Sequence, residues 1–234
     1  MFRPNARLRL LWINSSEGLF CGVQIRWKIA QNAELLWWKR YLKDKNHDSY
    51  LTWKKEYWTQ FLERCKIRPE PHQQILDIGC GPAGIFLNMP KDACTAVDPL
   101  MDQYMEEFPW LVNYPDATLQ KGRLEGFETS DKFDLIFCLN AVNHVADWDS
   151  AMMALWHALK PGGTLILSSD VHRFPLLKYP FRLIQGDILH PQQHDLKDYL
   201  KFFTNHYGKD ALQQSTLYKV DGLFLYYVFQ LKKS

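Results

Sequence analysis

From residue 70 onward the chain repeats short apolar runs of strand length, at 74–79, 93–98, 133–139 and 164–169. Each is apolar at consecutive positions rather than at alternate ones, the pattern of strands buried on both faces between layers of helix. Helical stretches such as 149–159 alternate with them, which predicts βαβ units and a parallel sheet. The last two runs, 215–220 and 223–231, flank Asp221-Gly222, a two-residue hairpin signal, so the sheet is expected to end in an antiparallel hairpin.

Upstream of residue 70 the period changes. Residues 31–65 suit helix, with no proline between Pro4 and Pro69, and Tyr50, Trp53 and Tyr57 recur at i, i+3 and i+7 beside a second cluster of Trp37, Trp38 and Tyr41. Such a stripe either packs on the sheet or forms a lid over a ligand pocket. Residues 1–22 show neither helical periodicity nor strand alternation and are expected to be poorly structured. Three regions follow: an irregular segment over 1–22, a helical lid region over 23–68 and an α/β domain over 69–234.

Composition narrows the class. The 234 residues are 47% apolar and 23% charged, the balance of a globular protein with a core. No apolar run approaches the roughly 18 residues a membrane span needs, and Asn14 to Glu17 interrupt the apolar stretch near the start that would otherwise suggest a signal peptide. The five cysteines are odd in number and form no CxxC pair, which points away from a disulfide framework and a structural metal and towards a reducing cytoplasm. Residues 1–70 carry 14 Lys/Arg against 7 Asp/Glu, the remainder 14 against 19, yet no dense basic stripe marks a nucleic-acid binder.

The chemistry concentrates in Ile75-Leu76-Asp77-Ile78-Gly79-Cys80-Gly81-Pro82-Ala83-Gly84, a strand running into a glycine-rich turn before an expected helix. GxGxxG also marks dinucleotide-binding folds, where the backbone approaches a pyrophosphate. Asp77, two residues before the first glycine, would repel a pyrophosphate but suits an ammonium group. Asp98 closes the next strand, where a carboxylate can accept both hydroxyls of a ribose.

These segments resemble motifs I and II of class I S-adenosylmethionine-dependent methyltransferases, motif II being Ala96-Val97-Asp98. Residues 132–137, 140–145 and the Lys160-Pro161-Gly162-Gly163 turn resemble the same family's later segments. The nearest likeness is to small-molecule enzymes of the quinone-biosynthesis type, and it spans residues 70–170. It implies a Rossmann-like sheet of seven strands, mostly parallel with a C-terminal antiparallel hairpin, preceded by N-terminal helices. It also implies S-adenosylmethionine as cofactor, held by Asp77, Gly79, Cys80, Gly81, Asp98, Pro99 and Asn140.

Where many relatives place an acidic residue before a small apolar one, this chain has Gly122-Arg123-Leu124-Glu125. The adenine contact therefore falls to Leu124 or Glu125, with Arg123 directed to solvent. His144, His172 and His190, in that order, are the candidate bases for an acceptor that must lose a proton. The aromatic helices and the histidine-bearing stretch 170–195 are expected to enclose a flat apolar or cationic small molecule. Pro191 between His190 and His194 argues against a helical metal pair, and Asp195 is expected to cap the next helix. A protein or RNA methyltransferase and a nicotinamide-dependent oxidoreductase are the competing readings.

Overall fold

A computed structural model describes residues 15–112, 114–127, 129–174, 192 and 194–234, with side chains from Trp27 onward. Two helices lead the fold, α1 (Ser15–Leu42) and α2 (His47–Cys65). Helix α1 thus begins inside the segment expected to be irregular; residues 1–14 lie outside the described residues. Asn46 caps α2 by accepting from the Ser49 amide at 2.9 Å, and Lys66, in the left-handed region at φ 56°, ends it.

The sheet is built from β1 (Ile75–Ile78), β2 (Cys94–Asp98), β3 (Ala117–Lys121), β4 (Phe133–Leu139), β5 (Leu159–His172), β6 (Leu212–Asp221) and β7 (Phe224–Lys232). Helices α3 (Met101–Glu107), α4 (Trp148–Ala158) and α5 (Leu196–Phe202) complete the fold. Strand order is β3-β2-β1-β4-β5-β7-β6, with β7 antiparallel to β5 and β6 and the other pairs parallel. The hairpin turns at Gly222-Leu223, one residue later than expected: Asp221 pairs with Phe224, and Gly222 takes φ 55°. Asp195 and Asp198 form a reciprocal capping box at the start of α5, as expected of Asp195.

Alternation along β1 explains its unbroken apolar run. Leu76 and Ile78 enter the core shared with α4 and α5, whereas Ile75 enters the one shared with α2 and α3. Asp77 points to the same side as Ile75. The order reverses direction between β1 and β4, so the crevice beyond their C-terminal ends is the switch point where open α/β sheets bind ligands.

Candidate active site

The glycine turn after β1 is held by backbone and carboxylate together. Gly79 and Gly81 adopt φ 70° and 60°, conformations that side chains disfavour, and a Cβ on Gly79 would collide with that of Ala141. The Gly79 amide donates to the Val97 carbonyl at 2.8 Å; the Gly81 amide donates to one oxygen of Asp98 and the Leu100 amide to the other, each at 2.9 Å.

The expected α-helix after this turn is replaced by two 3₁₀ turns, Gly81–Ala83 and Ile85–Asn88. The groups an α-helix would pair are already engaged. The Phe86 amide donates to Asp77 at 3.0 Å, while the indole N–H groups of Trp110 and Trp58 donate to the carbonyls of Pro82 and Ala83, each at 3.1 Å. Pro90 then bars continuation. Gly84 is extended, and its role is steric: a Cβ there would strike the Asp77 carboxylate.

Asp77, the residue expected to meet the ammonium group of the donor, is buried. Its side chain is turned beneath the 3₁₀ turn and lines neither cavity described below, because its carboxylate serves the amide of Phe86. Burial pushes its pKa up to about 7, against the pull of the backbone donors at Phe86 and Ile85. Burial likewise raises Asp98 to about 6 despite its two amide partners.

Two cavities flank the turn. The smaller, about 520 Å³, is lined by Trp27, Gln31, Gly79, Asp98, Pro99, Leu124 and Asn140 among others. The larger, about 1770 Å³ and open to solvent, lies between α1, α2 and the terminal hairpin, with Trp37, Trp38, Tyr57, Trp58, Tyr218 and Tyr226 as its aromatic walls. Glu34, Gly79, Asn140 and His144 border both. Buried polar atoms without a hydrogen-bond partner among the described residues converge on the smaller cavity: Gln31 Oε1, Arg123 Nε and Asn140 Oδ1. Such atoms are costly unless a polar ligand satisfies them. Asn140 holds φ 55° while its amide donates to the Ser168 carbonyl at 3.0 Å, which leaves its side chain at the cavity junction.

The expected donor residues divide accordingly. Gly79, Asp98, Pro99, Leu124, Glu125 and Asn140 line the smaller cavity, and Cys80 and Gly81 line the larger one. Glu125 also accepts from the Ala146 amide at 2.6 Å, which ties it to the loop after β4. Arg123 does not run to solvent; its guanidinium lies 3.7 Å above the ring of Trp27, because the aromatic face offers the cation a partner at the cavity wall.

Of the three histidines, His144 borders both cavities. His172 does not reach them: it is buried at the end of β5, with its ring against Phe224, since the β5–β7 pairing sets these residues opposite each other. His190 lies outside the described residues. The aromatic stripe also splits, with Trp37, Trp38 and Trp58 on the larger cavity while Tyr50 and Trp53 line a separate outer groove beside Tyr41. Sequence reasoning singled out Trp37 and Trp38 of α1 but missed Trp27, Gln31 and Glu34. Trp27, Gln31, Glu34 and Trp38 stand at i, i+4, i+7 and i+11, one helix face aimed at both cavities.

A family model described as a methyltransferase domain matches residues 50–214. The chain belongs to this methyltransferase family. Its mixed seven-stranded sheet is the fold of class I S-adenosylmethionine-dependent methyltransferases. Among curated proteins it is similar to the ubiquinone biosynthesis O-methyltransferase of Ruegeria pomeroyi, 28% identical over 66% of this chain and 63% of that one. With the namesake from Rickettsia bellii it shares 30% identity over 41% of each chain, so the methyltransferase spans about two fifths of that relative.

Solved structures agree in fold. The magnesium protoporphyrin IX methyltransferase of Synechocystis, determined with bound S-adenosylhomocysteine, superposes with a TM-score of 0.60 at 14% identity, covering 91% of this chain and 99% of that one. The YcgJ protein of Bacillus subtilis gives 0.60 at 16% identity, over 75% and 97%. Among the described residues no group of three or more metal-ligating side chains forms a site, and no helix is long and apolar enough to cross a membrane.

Proposed function

We propose that this methyltransferase holds S-adenosylmethionine with its adenosyl end in the smaller cavity and methylates a small aromatic acceptor seated in the larger one. The observation that carries this reading is the shared border at Gly79, Asn140 and His144, which lets two ligands meet at one point. The unpartnered Gln31, Arg123 and Asn140 atoms fit a polar nucleoside.

When bound, the donor supplies a methyl group already activated on a sulfonium centre, so the protein need contribute chiefly position and exclusion of water. Asp98, set by two amides, would accept from the ribose hydroxyls and Leu124 would pack on the adenine, since both line the smaller cavity. The indoles of Trp38 and Trp58 and the phenols of Tyr57 and Tyr226 present apolar faces to a flat acceptor. For a hydroxyl acceptor, His144 is the base that takes the proton as the oxygen gains its methyl group. The names of the curated relatives support a hydroxyl acceptor of small size.

Calorimetry with S-adenosylhomocysteine, followed by methyl transfer to a panel of phenols, tests the reading. Micromolar binding of the nucleoside and a kcat reduced about 100-fold or more in His144→Asn, with nucleoside affinity kept, are expected from the usual contribution of a general base. No binding of the nucleoside, or an unchanged kcat in that variant, would refute the donor site or the base respectively.

A further inference from the structure

Lys54 stands on the wall of the larger cavity, midway along α2, and is enclosed by aromatic rings. Its ammonium lies 4.6 Å from the ring centre of Trp58, 4.9 Å from Tyr57 and 5.9 Å from Trp53. Among the described residues no carboxylate comes within ion-pairing distance of it, whereas Lys219 of the same cavity pairs with Asp221 at 2.6 Å; Arg64, like Lys54, lies over a ring, 4.2 Å from that of Tyr218. Burial lowers the pKa of Lys54 to about 8, and the charge of Asp77 only partly offsets this.

A half-desolvated ammonium becomes more costly once a ligand displaces the remaining water, unless that ligand brings the opposite charge. Lys54 already faces the rings of Trp58, Tyr57 and Trp53, so of the two kinds of acceptor expected from the aromatic stripe, flat apolar or cationic, the cationic one would meet a like charge there. A single ammonium matches one negative charge, as on a carboxylate, better than a phosphate dianion.

We propose that Lys54 is a carboxylate-binding subsite of the larger cavity, an inference that rests on the methyltransferase reading of the site. Two sources have the right chemistry: the amino-acid carboxylate of the donor, reaching past Cys80 and Gly81, and the carboxylate of an aromatic acid acceptor whose ring lies against Trp38 and Tyr226.

The test uses the full chain as wild type, Lys54→Gln and Lys54→Arg, each checked by its melting transition. One arm compares S-adenosylhomocysteine with 5′-methylthioadenosine, which lacks the amino-acid portion. The other, with S-adenosylhomocysteine saturating, compares a hydroxybenzoate with its methyl ester. Lys54→Gln is expected to weaken the carboxylate-bearing member of one pair at least tenfold and to leave the other member within twofold, and Lys54→Arg to restore most of the loss. Loss on the nucleoside assigns the subsite to the donor, and loss on the benzoate assigns it to the acceptor. Equal effects on both members of each pair, or no effect in either arm, would overturn the proposal. Failure of the wild type to bind S-adenosylhomocysteine would instead strike the methyltransferase reading beneath it.

Discussion

The indole of Trp58 donates to the carbonyl of Ala83 at 3.1 Å, joining the middle of α2 to the glycine turn across 25 positions of sequence. Both residues are buried. One bond thus couples the aromatic wall of the larger cavity to the turn that borders the proposed donor site. Trp58→Phe keeps an aromatic ring but leaves a buried carbonyl unsatisfied, a loss of about 1 to 3 kcal/mol. Chemical denaturation is expected to show that loss, together with a weaker S-adenosylhomocysteine affinity. Unchanged affinity in a destabilised variant would mean that the turn holds its shape without α2.

Asp77 makes the protein's stability depend on pH. Its carboxyl is raised to about 7 in the folded chain, against about 3.9 for an unperturbed aspartate. Between these values the native state binds more protons than the unfolded one, so this group's contribution is fully present below pH 4 and is lost as pH rises through 7. Asp77→Asn keeps an acceptor for the Phe86 amide and cannot ionise. Measured from pH 4 to pH 8, the stability difference is expected to move in favour of Asn, by at most about 4 kcal/mol for three pKa units. A constant difference across that range would show that Asp77 titrates normally.

Asp98 carries a different load. Its two oxygens accept from Gly81 and Leu100, and it also lines the smaller cavity. Asp98→Ala is expected to weaken S-adenosylhomocysteine by about 1 to 3 kcal/mol, the cost of losing hydrogen bonds to a charged group. Asp98→Asn, which keeps one acceptor, should fall between. Calorimetry showing wild-type affinity in both variants would remove Asp98 from the donor site.

The contrast between Asp77 and Asp98 marks how far the sequence could be read. Asp77 stands in the first motif and Asp98 closes the second, and the apolar runs around them placed β1, β2, β4 and the hairpin within a few residues. Spacing could not tell which carboxylate faces a ligand, because that depends on Phe86, nine residues on, reaching back to Asp77. Strand β3 was illegible as an apolar run for a simpler reason: Ala117–Lys121 is an edge strand with half-exposed and exposed positions, so its residues carry little burial signal. The face Trp27, Gln31, Glu34, Trp38 had helical spacing in plain view. Only the approach of α1 to the glycine turn gives that face a role.

The same face supplies the last test. Trp27 lies beneath the Arg123 guanidinium at 3.7 Å, and both line the smaller cavity together with Leu124 and Pro99. Trp27→Ala removes the ring and leaves Arg123 to reorganise, a change of about 0.5 to 2 kcal/mol if the stacked pair walls the adenosyl end. Because that end is common to both nucleosides, S-adenosylhomocysteine and 5′-methylthioadenosine should weaken by the same factor, unlike the selective loss expected for Lys54→Gln. A loss confined to S-adenosylhomocysteine would place Trp27 beside the amino-acid tail instead, and would reverse the orientation of the donor across the two cavities.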